Sequence, residues 1–372
     1  MTKILLTGGH AATPALALAQ KIVKTHPDWD IYWIGPDSAM EGLKVATAAE
    51  KTLKDSGVQT FRIIAGRLKK KGNILDIIIA YLKIPFGFFH ALAFLIKISP
   101  NMIISFGGFA AFPVVFIGWL LGKPVIIHEQ ITGAGLANKL SAPFAKKIAV
   151  ARSESLPFFP KGKTMLVGNP QVEGVFNVKK KTNFGNPPAI FITGGSSGSQ
   201  IINNTVDEVL EGLLARYIVY HQTGDANIGY FKERKGRLSE KLDKRYHCFG
   251  YVSPNGVAGF FEKADVVVGR AGANTVADVV ASRRPAILIP IPWSIGNEQV
   301  QNALKAQACG IAVILNQEGL TGAKLLKAIE EVFKNWKSMV KRVKPSDFDL
   351  DRDASGRLVA VVEACLRRQE GT

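Results

Sequence analysis

Cysteine and acidic residues are both scarce in this chain. Only 3 cysteines occur among 372 residues, at positions 248, 309 and 365. They are too few and too scattered for a disulfide framework or a thiolate metal site, so we expect buried thiols in a reducing compartment. The 30 acidic residues face 47 Lys and Arg, a net charge of +17. This excess predicts attraction to nucleic acid, phosphorylated metabolites or an acidic membrane surface, without choosing among them.

A long apolar run near the amino terminus is also missing, because "ILL" at 4–6 is followed by Thr7 and then two glycines. This pattern argues against a secretion signal, and we expect a cytoplasmic protein. The length and the 47% hydrophobic content suggest about two domains, each with its own core, and exclude a disordered protein.

Short β-rich runs alternate with longer helix-compatible segments along most of the chain. The first set is "KILLTGG", "IYWIGP", "NMIISFGG", "KPVIIHEQ", "KKIAVA" and "TMLVGNP". A charged stretch with Gly and Pro at 173–188 reads as a linker. The second set is "AIFITGG", "YIVYHQTG", "YHCFGYV", "ADVVVGR", "PAILIPIP" and "IAVIL". The alternation predicts an α/β protein with two doubly wound parallel sheets.

Four small-residue loops follow predicted strands, where ligands of such sheets bind. They are "TGGH" at 7–10, "SFGGFAAFP" at 105–113, "TGGSSGSQ" at 193–200 and "GRAGANTVADVV" at 269–280. Glycines let backbone N–H groups approach a phosphate at a helix amino terminus. Each loop alone is equally compatible with a tight strand-to-helix turn. Several such loops together favour a phosphorylated ligand.

Polar side chains near two of these strands suit a nucleotide sugar. Asp278 can accept bonds from two ribose hydroxyls, although an acid there also interacts favourably with the helix dipole. The segment "IPIPWSIGNEQVQNA" at 289–303 presents Glu298, Gln299 and Asn302. Carboxylates and amides of this kind match sugar hydroxyls, which both donate and accept.

Six ordered motifs resemble the MurG family, bacterial transferases that add N-acetylglucosamine to lipid I and form lipid II for peptidoglycan. The motifs are "TGGH…PALALA", "FGGF…P…KPVIIHEQ…GLANKL…AKKIAVA", "VGNP", "TGGSSGSQIIN", "ADVVVGRAGANTVAD" and "P…NEQVQNA". The resemblance runs nearly end to end. It implies a GT-B fold, in which two Rossmann-like doubly wound domains face a cleft.

The resemblance also implies which part of the chain binds which substrate. Residues 1–172 would form an acceptor and membrane-facing domain, residues 173–350 a UDP-sugar donor domain, and residues 351–372 a helix crossing back to the first domain. The implied activity is that of an inverting, UDP-sugar-dependent N-acetylglucosaminyltransferase in cell-wall biogenesis, and so in cell shape and division. The implied partners are UDP-N-acetylglucosamine, a lipid-linked acceptor and the anionic surface of the inner membrane.

Site residues are carried over from the resemblance motif by motif. His10 is the candidate general base that deprotonates the acceptor hydroxyl; taken without the family, it caps the turn or binds a phosphate. Glu129 of "HEQ" is the next candidate for the base. Val252 would bond uracil through its backbone. The remaining implied substrate contacts are Thr7, Gly8 and Gly9 at the diphosphate, Ser196 at the nucleotide, Ala273, Asn274, Thr275, Val276, Ala277 and Asp278 at diphosphate and ribose, and Glu298, Gln299 and Asn302 at the sugar. No metal or other cofactor is implied.

The sequence departs from the family pattern at several of these positions. Ile131 replaces an asparagine after "HEQ", and Gln171 and Val172 stand where valine and arginine are usual after "GNP". Asp278 replaces a glutamate, and Glu298 a glutamine. Arg152 or Arg270 is a candidate for the missing positive charge.

The departures leave the sugar and acceptor open and keep two alternatives. One is a related UDP-sugar transferase with another lipid-linked acceptor, and the other is a GT-B binding protein without turnover. A nucleic-acid-binding protein is disfavoured, because the lysines are scattered and no recognition module is readable.

The apolar segment 67–98 predicts a helix that does not cross a membrane, because charged residues and a proline interrupt it. Asp76, Lys83, His90 and Lys97 recur every seven residues and predict one narrow polar stripe. A face with Phe86, Phe88, Phe89 and Phe94 would enter the bilayer interface beside "RLKKK" at 67–71. The alternative is a helix buried entirely in the core. The resemblance implies a peripheral protein on the cytoplasmic face of the inner membrane.

Overall fold

A computed structural model of the chain describes residues 1–9, 12–37, 48–64, 66, 74–341, 343–344 and 346–370. The strands, in chain order, are β1 (Lys3–Thr7), β2 (Asp30–Pro36), β3 (Gln59–Ile63), β4 (Met102–Ser105), β5 (Val125–Glu129), β6 (Lys147–Val150), β7 (Thr164–Leu166), β8 (Ala189–Thr193), β9 (Ile218–Gln222), β10 (Tyr246–Phe249), β11 (Val266–Gly269), β12 (Ala286–Leu288) and β13 (Ala312–Ile314).

The α-helices alternate with these strands. They are α1 (Ala12–Thr25), α2 (Ala48–Asp55), α3 (Ile74–Ile98), α4 (Ala111–Leu120), α5 (Leu136–Ser141), α6 (Glu173–Phe176), α7 (Gln200–Glu208), α8 (Leu210–Arg216), α9 (Ile228–Gly236), α10 (Glu240–Asp243), α11 (Pro254–Lys263), α12 (Ala273–Ser282), α13 (Glu298–Ala308), α14 (Gly322–Lys341) and α15 (Ala354–Glu370). Short 3₁₀ turns cover Ala142–Phe144, Ser153–Phe158, Ile295–Asn297 and Asp347–Asp353.

The chain forms two compact units. Unit 1 comprises Met1–Val172 with Leu350–Thr372, and unit 2 comprises Glu173–Asp349. Unit 1 holds a seven-stranded sheet in the order β3-β2-β1-β4-β5-β6-β7, and unit 2 a six-stranded sheet in the order β10-β9-β8-β11-β12-β13. Every strand pair is parallel. The predicted α/β class with two doubly wound sheets is therefore confirmed.

Each sheet has one hydrophobic core on each of its faces, because successive side chains of a strand point to opposite faces. Along β1, Ile4 and Leu6 face one core, whereas Leu5 faces the other. Helices α1, α2 and α15 cover the first face, and α3 and α4 cover the second. In unit 2, Val266 and Val268 of β11 face α7, α8 and α14, whereas Val267 faces α11, α12 and α13.

Both sheets reverse their strand order beside their first strand. In unit 1 the reversal lies between β1 and β4, and in unit 2 between β8 and β11. A crevice opens at such a reversal, beyond the carboxyl ends of the strands, and ligands of open parallel sheets bind there. The strand order alone therefore directs attention to the loops after these four strands.

All twelve strands predicted from sequence form, but β3 was missed. Its sequence "QTFRI" is mostly polar, and only Ile63 is buried. β3 lies at the edge of the sheet, beside β2 alone. An edge strand needs fewer apolar residues than a central one, so the sequence carries little signal for it.

The apolar segment predicted over 67–98 is helical over Ile74–Ile98. Ala91, Leu95 and Ile98 are buried against the sheet. Within the part of the chain that the structure describes, no helix has both the length and the apolarity to cross a bilayer. The basic segment 67–71 lies outside the described residues, as do the side chains of 74–81.

Two residues of the predicted polar stripe on α3, His90 and Lys97, face β3 and the residue after it. The ring of His90 accepts a hydrogen bond from the backbone of Ile64 at 3.3 Å, and Lys97 lies 5.5 Å from the ring centre of Phe61. Phe94 also packs on Phe61, with 5.1 Å between ring centres. The stripe is therefore used partly for packing, which sequence periodicity alone did not indicate.

A buried ion pair holds together two parts of unit 1 that are far apart in sequence. The guanidinium of Arg152 donates two bonds of 2.7 Å to the carboxylate of Asp351. The same carboxylate accepts the backbone N–H of Asn169 at 2.7 Å. Both side chains of the pair are almost completely buried. The chain segments that leave and re-enter unit 1 are thus fixed to each other.

Candidate functional site

The glycine loop after β8 packs tightly on the loop after β9. Gly198 and Gly224 have positive φ angles, and a Cβ on either would lie within 2.5 Å of a backbone oxygen of the other loop. Only glycine permits this approach. The hydroxyl of Thr193 accepts the N–H of Gly195 at 3.0 Å and donates to Gln222 at 2.8 Å. Ser196 is exposed at the tip of this loop.

A buried chain of polar groups supports these loops from below. Because the amide oxygen of Asn203 is only an acceptor, His221 Nε2 donates to it at 3.1 Å, and Nδ1 accepts from the hydroxyl of Tyr246 at 2.9 Å. Asn203 in turn donates to the carbonyl of Thr223 at 2.9 Å. Burial lowers the pKa of His221 to about 3, so the ring stays neutral near neutral pH. None of these residues was singled out from sequence.

The loop after β9 also reaches the predicted uracil position. Asp225 accepts the backbone N–H of Tyr251 at 2.8 Å. Val252 is half-buried between β10 and α11. Among the described residues, no partner bonds the backbone groups of Val252. Its N–H and C=O are therefore available to a ligand.

The residues of α12 that are predicted to contact ribose and diphosphate fall into a buried group and a half-buried group. Ala273, Val276 and Ala277 are buried in the core of unit 2, so they can offer only backbone groups to a ligand. Asn274, Thr275 and Asp278 are half-buried, and Asn274 and Thr275 share a helix face with Asp278 because they precede it by four and three residues. This face is the part of α12 that can carry specific side-chain contacts.

Arg270 is a buried cation at the strand reversal of unit 2. It directly follows β11, is 8% exposed, and donates one bond of 3.0 Å to the carbonyl of Ile289. Within the described residues, no carboxylate forms an ion pair with it. Burial lowers the pKa of Arg270, but a guanidinium stays protonated near neutral pH. A buried charge without a partner is costly, so this position favours an anion.

The two arginine candidates for the missing charge are thus distinguished. Arg152 is already bound to Asp351 in unit 1, whereas Arg270 lies among the predicted donor-site loops.

The side chains predicted for the sugar begin α13. The side-chain oxygen of Gln299 accepts the backbone N–H of Ile291 at 3.1 Å, and the backbone N–H of Gln299 donates to the hydroxyl of Ser294 at 3.2 Å. Asn302 is buried and donates to Ala271 at 3.2 Å and to Glu298 at 3.4 Å. Glu298 and Gln299 are half-buried. Asn302 therefore connects α13 to the loop that carries Arg270.

In unit 1, the loops after β1 and β4 pack backbone against backbone. The N–H of Gly9 donates to the carbonyl of Gly107 at 2.9 Å, and a Cβ on Gly108 would lie 2.8 Å from the nitrogen of Gly9. A Cβ on Gly8 would meet the ring of Trp33 at 3.1 Å. Thr7 is buried and donates its hydroxyl to Ile34 at 2.8 Å. Close packing thus accounts for Gly8 and Gly108. His10 lies outside the described residues.

Glu129, the second base candidate, is buried at the end of β5. One carboxylate oxygen accepts the N–H of Ile131 at 3.1 Å, and the other accepts from Gly135 at 2.8 Å and Asn138 at 3.0 Å. Burial raises the pKa of this carboxyl, while the hydrogen bonds oppose the rise. Both oxygens are engaged in holding the loop at 130–135.

Two further groups fix that loop, and sequence reasoning missed them. Ser155 is buried, donates to the carbonyl of Ile131 at 2.8 Å and accepts the N–H of Gly133 at 3.2 Å. Ile131 is therefore held through its backbone, which any residue provides. Among the other departures, Val172 is buried in the core of unit 1.

Two doubly wound α/β units, with glycine loops at both strand reversals and a buried arginine at one of them, are typical of proteins that bind nucleotides at the carboxyl ends of parallel strands. Residues 7–150 match the glycosyltransferase family 28 N-terminal domain, and residues 189–350 match the C-terminal domain. The chain belongs to glycosyltransferase family 28.

Curated relatives match over nearly the whole length. A protein of Clostridium kluyveri is 32% identical over 98% of this chain and 99% of its own length. It is named UDP-N-acetylglucosamine–N-acetylmuramyl-(pentapeptide) pyrophosphoryl-undecaprenol N-acetylglucosamine transferase. A Bacillus cereus protein, named as transferase 2 of the same kind, is 33% identical over 90% of this chain and 92% of its own length.

Solved structures agree on the fold. MurG of Acinetobacter baumannii superposes with a TM-score of 0.66 at 22% identity, covering 98% of this chain and 100% of the other. UDP-GlcNAc 2-epimerase of Neisseria meningitidis, solved with UDP-GlcNAc bound, superposes with a TM-score of 0.64 at 11% identity, covering 98% and 100%. The predicted family and the GT-B fold are thus confirmed.

Proposed function

We propose that this protein transfers N-acetylglucosamine from UDP-N-acetylglucosamine to undecaprenyl-pyrophosphoryl-N-acetylmuramyl-pentapeptide, forming lipid II. The observation that carries the proposal is the near-complete match to curated relatives named for this reaction. In the chemical step, an acceptor hydroxyl oxygen bonds to the anomeric carbon of the donor and the bond to UDP breaks. The hydroxyl proton passes to a base, and UDP keeps the electron pair of the broken bond.

Unit 2 binds the donor in this proposal. The exposed tip at Ser196 and the face of α12 with Asn274, Thr275 and Asp278 flank the strand reversal between β8 and β11. Val252 offers unbonded backbone groups that match the edge of a uracil ring. Asp278 accepts bonds from the ribose hydroxyls, and Gln299 and Glu298 bond the sugar.

Arg270 neutralises the departing diphosphate. It is the buried cation closest in sequence to the α12 loop, and a diphosphate would supply the negative charge that it lacks among the described residues. Charge that develops on UDP during bond breaking would be stabilised most, since a fixed cation in a buried site interacts strongly.

Unit 1 binds the acceptor, and His10 serves as the base. An imidazole with the ordinary pKa of about 6.5 suits this task near neutral pH. Glu129 is assigned a positioning role instead, because both of its oxygens accept hydrogen bonds within the 129–138 segment.

The protein docks on the cytoplasmic face of the inner membrane through α3. Leu82, Phe86, Phe89 and Ile96 form one stripe along the helix and are 57–68% exposed. Phe88 instead packs edge-on against Phe112 and Phe116. A large exposed apolar stripe is unfavourable in water and favourable in the interface of a bilayer.

The test is release of UDP from UDP-N-acetylglucosamine with lipid I or a soluble analogue as acceptor. We expect acceptor-dependent release, and a His10→Ala variant should lower kcat about 10²–10⁴-fold while UDP affinity stays unchanged. If the protein bound UDP but transferred no sugar, the proposed transferase activity would be rejected in favour of a binding protein. A His10→Ala variant with normal kcat and weaker acceptor binding would instead place a phosphate ligand at this position.

A further inference from the structure

The buried chain of polar groups in unit 2 ends where two glycine loops meet. Asn203, His221 and Tyr246 are 0% exposed. Hydrogen bonds run from the hydroxyl of Tyr246 through the ring of His221 to the amide of Asn203. That amide donates to the carbonyl of Thr223 at 2.9 Å, and a Cβ on Gly198 would lie 2.2 Å from the oxygen of the same carbonyl. The chain of polar groups therefore acts at the contact between the loops after β8 and β9.

Only one arrangement of protons satisfies this chain when the imidazole ring is neutral. The carbonyl of Thr223 is only an acceptor, so the amide nitrogen of Asn203 faces it and the amide oxygen faces His221. Nε2 of His221 therefore carries the proton, and Nδ1 accepts from the hydroxyl of Tyr246. The hydroxyl of Tyr246 thus selects the ring tautomer that can hold Asn203.

Asn203 connects this chain to the start of a helix. It lies in the first turn of α7, which directly follows the glycine loop at 193–199. Among the residues that the structure describes, no group accepts the backbone N–H of Ser196 or of Ser197. Free N–H groups in such a loop, at the amino terminus of a helix, bind phosphate. The position of Asn203 therefore determines where these N–H groups are held.

The surroundings of the polar chain are apolar. The ring of Phe231 packs edge-on against His221, with 4.8 Å between ring centres, and Val206 and Val219 belong to the same core. Apolar side chains would fill this space without the cost of removing polar groups from water. A network in which every member is hydrogen-bonded instead fixes one geometry. What the polar chain adds to the core is therefore an exact placement of the two loops.

We infer that His221 is a positioning residue for the diphosphate of the donor. Its Nε2 proton holds the amide of Asn203, and that amide holds the loop after β9 against the loop after β8. The N–H groups of Ser196 and Ser197 are thereby kept in place for the phosphate oxygens. His221 itself is buried and does not touch the ligand. The inference rests on the donor site of the proposed function and adds the residues that keep this site in shape.

The experiment compares the binding of UDP and of uridine by calorimetry in the full-length protein and in three variants. In His221→Gln, the amide nitrogen reaches the position of Nε2 and keeps the donor to Asn203. In His221→Asn, the shorter side chain reaches only the position of Nδ1, so the bond to Asn203 is lost. The control is Val332→Ala, which opens a cavity in the core of unit 2 at α14. Urea unfolding measures the stability that each variant loses.

We expect His221→Asn to weaken UDP binding about 10-fold or more, because displaced N–H groups lose charge-assisted hydrogen bonds to the phosphate. His221→Gln should stay within about threefold of the unmodified protein, since it keeps the bond that matters. Val332→Ala should bind UDP normally although it is destabilised. Uridine, which lacks the diphosphate, should bind all four proteins equally.

Three results would overturn the inference. Equal UDP affinities for His221→Asn and His221→Gln would show that the Nε2 proton does not matter. A loss of UDP affinity in Val332→Ala as large as that in His221→Asn would indicate a purely structural role. A parallel loss of uridine affinity in His221→Asn would reject a role at the diphosphate.

The comparison does not depend on turnover. If the unmodified protein bound UDP but transferred no sugar, the proposed function would fail, while the UDP affinities of the variants would still decide the role of His221.

Discussion

At the scale of single residues, the two buried arginines have opposite surroundings. Both terminal nitrogens of Arg152 donate to the carboxylate of Asp351, and one of them also donates to the carbonyl of Ala151. Arg270 has a single carbonyl. A buried guanidinium bound only to a carbonyl keeps its full charge for a ligand, whereas one bound to a carboxylate does not. The local partners, more than the residue type, separate a structural arginine from a binding arginine.

Replacing Arg270 by glutamine should weaken UDP binding about 10–100-fold, because a hydrogen bond to a charged group contributes about 1.5–3 kcal/mol. Glutamine keeps an N–H for the carbonyl of Ile289. Uridine, which lacks the diphosphate, should bind the variant and the unmodified protein equally in calorimetry. A parallel loss for uridine would mean that the substitution disturbs the loop, and Lys327→Gln serves as a control for charge.

Acid should destabilise unit 2 through His221. Its pKa is about 3 in the fold and about 6.5 in an unfolded chain, so the unfolded state binds the extra proton between these values. Stability is therefore complete above pH 6.5 and falls as the pH drops towards 3. In His221→Gln, hydrogen exchange of β9 amides should show a loss of stability between pH 6 and 5 that is smaller by about 1 kcal/mol. The same pH dependence in both proteins would contradict this account.

At the scale of elements, hydrophobic pattern predicted the strands well and helix surfaces less well. A buried strand such as "VVVG" at 266–269 is easily predicted, because both faces of the sheet are covered and its residues form an unbroken apolar run. Helix α3 is apolar almost all round, so its sequence did not distinguish the outward Phe86 and Phe89 from the packed Phe88 and Phe94. That choice is made by the aromatic residues of α4 and β3, which are neighbours only in the fold.

The exposed stripe of α3 predicts a graded loss of membrane binding. Replacing Phe86 and Phe89 by serine should lower the affinity for vesicles on the order of tenfold or more, because two phenyl groups no longer leave water. The matched control is W293S/L304S, which removes two exposed apolar side chains from unit 2 and should bind normally. Sedimentation with vesicles measures both. Equal binding by the two variants would reject α3 as the docking element.

The loops around the site were located by sequence, but the partners of their residues were not. The predicted glycine loops follow β1, β4, β8 and β11, the four strands that border the two strand reversals. A glycine N–H is available to a ligand only when no second loop already accepts it. The N–H of Gly9, for example, already donates to the carbonyl of Gly107. Such contacts join segments about a hundred residues apart, and no local pattern encodes them.

At the scale of the whole molecule, the last segment of the chain completes the first unit. The core between α1 and the sheet includes Leu358, Val359 and Val362 of α15. Arg357 donates to the carbonyl of Val167, beside the point where the chain leaves unit 1. Unit 2 is therefore an insertion within unit 1 in sequence terms, although each unit has its own sheet and core.

Removing the charge of Asp351 should destabilise unit 1 strongly. In Asp351→Asn the guanidinium of Arg152 stays buried without a carboxylate, which typically costs about 3–5 kcal/mol. Asp353→Asn is the matched control: its carboxylate is 67% exposed and lies 3.8 Å from Arg357, so the change should stay within about 0.5 kcal/mol. Urea unfolding compares the two. Similar small effects would show that Arg152 gains other partners when Asp351 is lost.

The distance along the chain between Arg152 and Asp351 also sets an order of events during synthesis. The two residues are 199 positions apart, and a ribosome adds about 5–20 residues per second. Asp351 is therefore synthesised roughly 10–40 seconds after Arg152. All of unit 2 is translated in that interval, so the unit begun first is the one finished last, and a ribosome stalled after residue 349 carries a first unit that still lacks its closing ion pair.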